Sequence, residues 1–440
     1  MSGNIPTSAT ISQLHAVYKA GSQTVEGVTL AHLEKIAMAC NGVGHLNAVS
    51  EINPDAIHIA QAMQAGENML PLFGVPVLIK DNIDTGDKMR TTAGSVALAG
   101  NYALRDAFVT SLLRRAGAVI IGKANMTEFA NYMSDTGMPS GYSSRGGQVL
   151  HPHNDTGNPS GSSSGSAVAV ASGMCTVSIG TETLGSIISP AGECAIVGIK
   201  PTHGLVSGQG IIPIARTLDT AGPMARNVRN AATLLGVMAE TCYSANMQRT
   251  SLSGMRIGVN RSAETAPHFA ALCDMFVQLG AIIVEDVTID GDFREVAKDI
   301  MRYEFKACIN HYLAGTNAGV KNLADIIAYN QDHAEVALKY GQGILLDAQY
   351  NTSGNCTDAA YINALLARHS LTANFNNAFC NVDVLLGDSF VYKAPVVGFP
   401  TISVPMGKIG NARAAITAPK YSEALLIRIG IALEDEMSNQ

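Results

Sequence analysis

The sequence lacks the features that mark membrane-spanning and secreted chains. No segment approaches the roughly 18 uninterrupted apolar residues of a membrane-spanning helix. The N-terminal segment MSGNIPTSAT has neither the basic region nor the apolar region of a secretion signal. We therefore expect a soluble, cytoplasmic protein with no membrane partner, and a signal removed ahead of this sequence stays an open alternative.

Paired cysteines and basic clusters are also missing. The eight cysteines include no two that are close enough for a CxxC motif, so we expect neither a disulfide framework nor a zinc site. The net charge is −7, and no basic cluster is interleaved with aromatic residues. This pattern argues against nucleic acid as a partner.

Apolar residues are what the chain has in abundance. Its 440 residues are 47% hydrophobic and 15% charged, which predicts a globular protein with a large core. Length alone would favour roughly two or three domains, although that expectation is weak.

The most informative stretch runs from residue 158 to residue 201. It contains two Gly/Ser-rich loops, GSSSGS at residues 161–166 and TLGS at residues 183–186. Between the loops, the pattern predicts a small-residue helix at 167–173 and a strand at 175–179. These elements would hold the two loops at a fixed distance, and we expect the loops to meet.

The second loop suits a catalytic turn. Gly185 permits positive φ, and a turn of that kind can aim several successive backbone N–H groups at one point. An oxyanion needs such a set of donors. Ser186 would then lie beside its own oxyanion hole.

Two other functions of Gly/Ser runs fit less well. A run such as GSSSGS is often a flexible linker, but this one is followed at once by a dense apolar segment. A phosphate-binding loop needs a Lys-Ser or Lys-Thr pair after its glycines, and none follows here.

Lys80 ends the apolar run GVPVLIKDNI at residues 74–83, which has the character of a buried strand. A lysine at a strand end usually marks the point where the strand meets water. A buried lysine is instead desolvated, which favours the neutral amine and makes it a competent base. The residues alone leave both interpretations open.

Several motifs resemble those of the amidase signature family, whose members are Ser-cisSer-Lys hydrolases: GSSSGSAVAV, GTETLGSI, VGIKPTHGLVS and LDTAGPMAR. The segments SSRGGQ and IIPIARTLDTAGPMAR are most similar to the peptide amidase branch. The resemblance extends from about residue 47 to residue 226 and returns weakly near residues 395–407.

This resemblance implies an α/β fold in which a central twisted mixed β-sheet is covered on both sides by helices. It implies a single amidase domain over residues 1–440, with N-terminal helices at about 8–69, a signature core at about 70–230 and a C-terminal part at about 231–440. The implied activity is hydrolysis of amide C–N bonds through a serine acyl-enzyme, with no metal or organic cofactor. A small-molecule or peptide amide would be the partner, and the protein would be a monomer or a homodimer.

The resemblance also assigns catalytic roles by matched position. Ser186 is the expected nucleophile, Ser162 is the serine that follows a cis peptide bond and relays a proton, and Lys80 is the base. The oxyanion hole would consist of the backbone N–H groups of Thr183, Leu184 and Gly185.

Five further residues have expected supporting roles. Ser163 would be a hydrogen-bond partner of the catalytic set, and Asp81 would shape the loop that follows Lys80. The run SSRGGQ is expected to contact substrate or the first serine loop through Arg145, Gly146 and Gly147.

Two positions depart from the family pattern. Leu184 stands where most members have glycine and where peptide amidases have aspartate, and Ile188 replaces a common arginine. Leu184 would make the pocket wall more apolar. Peptide C-terminal or other carboxamides, with release of ammonia, are the expected substrates. The alternatives are a broad aliphatic or aryl acylamidase and a subunit like that of glutamyl-tRNA amidotransferase.

Two interpretations outside this mechanism remain. A Ser-His-Asp triad could use Ser186, His203 and Asp219, but the chain lacks a GxSxG elbow at that serine. An amide-binding protein with a decayed site is the non-enzyme alternative. The presence of all three residues of the Lys-Ser-Ser set argues against decay.

Patterns elsewhere predict the remaining elements. The N-terminal residues 8–69 read as helices, residues 118–122 read as a strand, and a helix is expected to begin at Lys123. The polar, Gly-rich residues 131–157 read as a loop that lines a site. Further strands are predicted at 255–259, 281–284, 383–386 and 401–404, and further helices at 109–117, 231–239, 267–279, across 292–368 and at 423–434.

Overall fold

In the computed structural model of the chain, a mixed sheet of 11 strands forms the centre and helices flank it. The structure describes residues 7–41, 45–154, 157–248, 251–261, 264, 269–407 and 413–439. No helix within these ranges is both long and apolar enough to cross a membrane. In the same ranges, no three His, Cys, Asp or Glu side chains are grouped so that they could hold a metal ion.

The described residues contain thirteen strands. They are β1 (Val49–Ile52), β2 (Pro76–Lys80), β3 (Val119–Ala124), β4 (Tyr142–Ser143), β5 (Gly147–Gln148), β6 (Val177–Glu182), β7 (Val197–Lys200), β8 (Thr220–Ala225), β9 (Arg256–Val259), β10 (Ile282–Val284), β11 (Val384–Leu386), β12 (Thr401–Pro405) and β13 (Arg413–Thr417). The large sheet has the order β1-β3-β2-β6-β8-β7-β12-β13-β11-β9-β10, and β4 and β5 form a separate hairpin.

The helices of the described residues pack around this sheet. They are α1 (Ile11–Lys19), α2 (Val25–Asn41), α3 (Ala56–Gln61), α4 (Phe108–Arg115), α5 (Ser164–Ala171), α6 (Ile188–Glu193), α7 (Val228–Met238), α8 (Phe269–Gln278), α9 (Phe293–Ala314), α10 (Leu323–Asp332), α11 (Ala334–Ala337), α12 (Gly343–Tyr350), α13 (Ala359–Ala378), α14 (Ala394–Val397) and α15 (Glu423–Asn439). Short 3₁₀ segments lie at Val96–Leu98, Glu128–Asn131, Ser244–Asn246 and Asp388–Phe390.

Three neighbouring strands, β2, β3 and β6, carry the part of the fold that matters for the site. Strand β2 is parallel to both β3 and β6, and every residue of all three strands is buried. Strands that are covered on both faces are near-continuous apolar runs, and the sequence PVLIK of β2 fits that rule. The helix α5 packs against β2, β3 and β6 through small side chains.

The sheet confirms several predicted elements and corrects others. The predicted strands near residues 255, 281, 383 and 401 are present as β9, β10, β11 and β12. Residues 8–69 are not all helical, because Val49–Ile52 forms β1 and pairs antiparallel with β3. Backbone pairing at a sheet edge decided this segment, whereas the sequence pattern reports only local preference.

Two further predictions were wrong in detail. Lys123 does not begin a helix, because β3 continues to Ala124 and pairs with the end of β2. Residues 131–157 are not loop throughout, since β4 and β5 form a small hairpin. The helix predicted at 267–279 starts outside the described residues and is seen from Phe269. Strands β7, β8 and β13 had no counterpart among the predictions.

Gly165 shows how tightly α5 packs against the sheet. A methyl group at this position would collide with the backbone carbonyl oxygens of Asn125 and Ala48. We predict that Gly165→Ala lowers the free energy of unfolding by about 1–3 kcal/mol, because backbone atoms cannot yield to the added carbon. Urea unfolding of the wild type and the variant measures this change.

The matched control is Gly208→Ala. An added Cβ at Gly208 meets nothing within 4 Å, and its backbone is not in the positive-φ region. Its free energy of unfolding should therefore stay within about 0.5 kcal/mol of the wild-type value. Equal losses in the two variants would contradict the packing argument.

Candidate active site

Lys80 lies at the C-terminal end of β2, and its side chain is completely buried. Its Nζ atom lies 2.8 Å from Ser162 Oγ and 2.9 Å from Ser163 Oγ. It also contacts Thr181 twice, at 2.9 Å from Oγ1 and at 3.1 Å from the backbone oxygen. The amine is therefore surrounded by neutral oxygen atoms.

Burial sets the acidity of this amine. Desolvation lowers the pKa of Lys80 from 10.5 to about 7, and the negative charges of Glu182 and Asp219 oppose part of that shift. A large fraction of Lys80 is therefore neutral near neutral pH. A neutral amine can accept a proton, which an exposed lysine at that pH cannot do.

The two Gly/Ser loops meet beside this amine. The peptide bond between Gly161 and Ser162 is cis, and Ser162 and Ser163 are both fully buried at the start of α5. The backbone N–H of Ser163 donates to the carbonyl oxygen of Ser186 at 3.2 Å. This hydrogen bond joins the first loop directly to the second.

The two buried serines differ in their hydrogen bonds. The Ser163 hydroxyl donates to the backbone oxygen of Thr181 at 3.1 Å and accepts from the Thr181 N–H at 3.2 Å. The Ser162 hydroxyl has Lys80 as its one hydrogen-bond partner within the described ranges. The proton of Ser163 is thus engaged by the backbone, and that of Ser162 is not.

The turn that carries Ser186 is closed by a buried carboxylate. Glu182 accepts hydrogen bonds from the backbone N–H groups of Ile187 at 2.7 Å and Ile188 at 3.0 Å. Gly185 has φ of +86°, as a tight turn between these points requires. Ser186 keeps 8% of its surface exposed, and its hydroxyl makes no hydrogen bond to any residue that the structure describes.

Thr183 and Leu184 complete this turn. The Thr183 hydroxyl donates to Asp219 at 2.6 Å, and burial raises the pKa of Asp219 to about 7. Leu184 packs against an apolar cluster. The backbone N–H of Gly185 interacts with the Glu182 carboxylate, whereas those of Thr183 and Leu184 have no hydrogen-bond acceptor in the described part of the chain.

Asp81 holds down the loop that follows β2. Its backbone oxygen accepts from the N–H groups of Thr92 and Ala93, and its carboxylate accepts from Thr92 as well. Arg145 donates to Asp81 at 3.3 Å and to Glu51 at 2.6 Å. Among the described residues, the hydrogen bonds of the guanidinium go to these two carboxylates and not to the first serine loop, and the expected contact with substrate stays a prediction.

The glycines after Arg145 shape a hairpin. The carbonyl oxygen of Gly146 accepts hydrogen bonds from the side-chain amides of Asn47 and Asn125, and a Cβ at Gly146 would collide with Asn125. Gly147 has φ of +70° where the chain enters β5. The first serine loop is contacted by Thr127, whose N–H donates to the backbone oxygen of Ser162 at 3.1 Å and whose hydroxyl accepts from the N–H of Gly141 at 2.7 Å.

The alternative triad is not assembled. The ring of His203 contacts the backbone oxygen of Arg216 at 2.8 Å through Nε2. Asp219 is engaged by Thr183 and by the backbone N–H groups of Ile214 and Ala215. Among the described residues, no hydrogen bond links His203 to Asp219 or to Ser186.

Sequence reasoning missed Thr181 and Glu182. Thr181 supplies two of the four contacts to Lys80, and Glu182 closes the turn of Ser186. The signal that could have found Thr181 is the register of β2 and β6. Because Ile79 pairs with Ile179, the residues that follow on the two strands, Lys80 and Thr181, come close together. That pairing is visible only once the two strands are known to be neighbours. The signal for Glu182 is an acid at a strand end, four residues before the serine.

A cavity of about 20 Å³ lies behind the site. Asn82 lines it and donates to Thr181 Oγ1 at 3.0 Å, while its own Oδ1 is buried without a protein partner in the described ranges. This volume suits a single water molecule and not an amide substrate.

Comparisons with known proteins show that the chain is similar to amidases. The family model for amidases matches residues 28–408. The solved structure of the native peptide amidase from Stenotrophomonas maltophilia is 35% identical, with a TM-score of 0.91, over 98% of this chain and 97% of that chain. A probable amidase of Arabidopsis thaliana is 33% identical over 97% of this chain and 92% of its own length.

A third relative has a different role. This protein, a subunit of the glutamyl-tRNA(Gln) amidotransferase of Exiguobacterium sibiricum, is 31% identical, over 96% of each protein. Fold, sequence and these relatives together define an enzyme that hydrolyses amide C–N bonds. The chain belongs to the amidase signature family.

The buried amine gives a testable dependence of stability on pH. The pKa of Lys80 is lower in the folded chain, at about 7, than its ordinary value of 10.5. Between these values the unfolded chain binds one proton more, so Lys80 makes stability rise by about 1.4 kcal/mol per pH unit. We predict that Lys80→Met reduces the gain in unfolding free energy between pH 7.5 and 9.5 by about 2–3 kcal/mol.

Urea unfolding at the two pH values measures that gain. The exposed Lys35 offers the control, because Lys35→Met removes an ammonium that stays in water in both states. Its gain should match that of the wild type. An unchanged gain in Lys80→Met would show that the amine is not desolvated.

Proposed function

We propose that the protein hydrolyses carboxamides through an acyl-enzyme on Ser186, with Ser162 and Lys80 as the proton relay. The observation that carries the proposal is the 2.8 Å contact between the buried Lys80 amine and Ser162, on a loop whose next residue bonds to Ser186. A decayed site is disfavoured because the Lys80 amine keeps its hydrogen-bond contacts with Ser162, Ser163 and Thr181.

Hydrogen-bond counting supports the direction of the relay. A neutral amine has two N–H donors and one lone pair. The Ser163 oxygen has given its own proton to Thr181, so it accepts one N–H of Lys80. Thr181 offers acceptors for the second N–H. The lone pair is left for the hydroxyl proton of Ser162, and this supports Ser162 over Ser163 as the relay.

The reaction then proceeds in balanced steps. Lys80 takes the proton of Ser162, Ser162 takes the proton of Ser186, and Ser186 Oγ forms a bond to the amide carbon. The C–N bond breaks as the relay returns a proton to nitrogen, and ammonia leaves. Water adds to the resulting ester by the same relay and releases the acid.

The oxyanion that forms in both steps needs preorganised donors. We assign it to the backbone N–H groups of Thr183, Leu184 and Gly185. Those of Thr183 and Leu184 have no competing acceptor among the residues described, whereas Gly185 also interacts with Glu182. The first two should therefore contribute more.

Peptide C-terminal carboxamides are the substrate class that we favour. The support is the likeness to a peptide amidase over 98% of this chain. The likeness to the amidotransferase protein supports a second candidate, in which the ammonia passes to a partner enzyme. Seven of the eight cysteines are described as free thiols, in keeping with a cytoplasmic enzyme.

Intact-protein mass spectrometry after treatment with a fluorophosphonate tests the nucleophile. We predict one adduct, mapped to Ser186, together with release of ammonia from N-acetylated dipeptide amides. Ser186→Ala should lose both the adduct and the turnover while its melting temperature stays near the wild-type value. Adduct formation or near-normal turnover in Ser186→Ala would remove this residue as the nucleophile.

The paired variants Ser162→Ala and Ser163→Ala test the relay. Loss of a proton-transfer group costs about 10²–10⁴ in rate, so kcat of Ser162→Ala should fall by roughly 10³. Ser163→Ala removes a hydrogen-bond partner of Lys80 and of Thr181 but no proton-transfer group, and we expect a loss of about tenfold. Steady-state ammonia release measures both variants. Equal losses, or a larger loss in Ser163→Ala, would transfer the relay to Ser163.

A further inference from the structure

Tyr392 lies on the segment between β11 and β12, and its ring is about half exposed, at 53%. The residues around it are anchored. Phe390 and Ala394 are buried on either side, and the Lys393 amine donates to the backbone oxygen of Ile289 at 3.0 Å. The position of the ring is therefore set by its neighbours in the chain, although the ring itself faces solvent.

The ring packs directly on the turn that carries Ser186. A Cβ added to Gly185 would lie 2.7 Å from Cε1 and 3.2 Å from Cδ1 of Tyr392. Only the missing side chain of Gly185 lets the edge of the ring come so close. The residue next to the nucleophile is thus covered on one side by an aromatic ring.

A hydrogen bond fixes the other end of the ring. The Tyr392 hydroxyl lies 3.2 Å from the hydroxyl of Ser189, within α6. Ser189 Oγ in turn lies 3.1 Å from the position that a Cβ of Gly185 would occupy. Ring edge and hydroxyl are therefore both held against the Ser186 turn. About half of the residue stays exposed next to the turn that carries the nucleophile.

We propose that Tyr392 is a specificity-determining residue that forms the wall of the subsite for the acyl side of the substrate. This inference rests on the proposed function. When the leaving group is ammonia, every substituent of the carboxamide belongs to the acyl side. A group beside the scissile carbon must then pass the exposed face of this ring.

The chemistry of the wall defines the substrates that it favours. An aromatic face makes favourable contacts with aromatic and other large apolar side chains, and it gains no such contact with the hydrogen atom that is the side chain of glycine. Together with Leu184 on the same turn, it predicts a preference for carboxamides whose terminal residue is aromatic or bulky and aliphatic. Glycinamide ends would gain no contact from the ring.

The test compares N-acetyl-phenylalaninamide with N-acetyl-glycinamide. Tyr392→Ala should lower the ratio of kcat/KM for the phenylalaninamide to kcat/KM for the glycinamide by about tenfold or more. The change should come from a lower kcat/KM for the phenylalaninamide. Tyr392→Phe should keep most of the ratio, because the face of the ring remains. If Tyr392 only supported the turn, its loss would lower kcat/KM for both substrates by the same factor. The ratio would then stay unchanged, and that result would overturn the proposal.

The control variant is Tyr350→Ala, which removes an exposed tyrosine at the end of α12 and should leave the ratio at the wild-type value. A wild-type enzyme that releases no ammonia from either amide would contradict the proposed function first. The inference is then decided by labelling rates with methyl and benzyl fluorophosphonates. The wild type should react faster with the benzyl probe than with the methyl probe, and Tyr392→Ala should lose this difference in rate. An unchanged difference would refute the proposal that Tyr392 forms the subsite wall.

Discussion

Desolvation of the Lys80 amine is the constraint on which the site depends. An ammonium ion is costly to bury unless a charged partner compensates it. The oxygen atoms that contact this amine belong to hydroxyl and carbonyl groups, so the neutral form is favoured and the pKa falls to about 7. The close packing of α5 on the sheet is what keeps water away. Small residues such as Gly165 are needed there for the same reason.

The same sheet buries two other lysines, and the contrast shows what distinguishes Lys80. Lys123 is the penultimate residue of β3 and Lys200 is the last residue of β7, and burial lowers the pKa of both. Lys123 is set among Asp81 and Asp84, and Lys200 lies near Glu182 and Glu423, so carboxylates favour their charged forms. Lys80 alone among these three has two serine hydroxyls as direct partners. All three lysines are buried, so the hydrogen-bond partners of the amine, and not burial alone, distinguish Lys80.

This contrast also explains how far the sequence could lead. The two Gly/Ser loops were predicted to meet, and the hydrogen bond from Ser163 to Ser186 joins them. The pattern of β2 left the burial of Lys80 open, and only the family resemblance favoured it. The family fold was likewise predictable from the motifs. Thr181 was not, because its contact with Lys80 depends on the register of two parallel strands that lie about 100 residues apart in the chain. Local pattern also mistook the end of β3 for a helix start, since pairing with β2 extends that strand.

Two acids connect the shape of the nucleophile turn to the strength of the base. Glu182 closes the turn through the N–H groups of Ile187 and Ile188, and Asp219 holds the Thr183 hydroxyl. These two carboxyl groups are also the charges that raise the pKa of Lys80 against desolvation. Geometry and proton affinity therefore cannot be adjusted separately, because a change that frees either acid from the turn also changes the field at the amine. A turn that varied its acids to suit a new substrate would shift the pH at which the relay works, whereas Leu184 and Tyr392 carry no charge and can vary without that consequence.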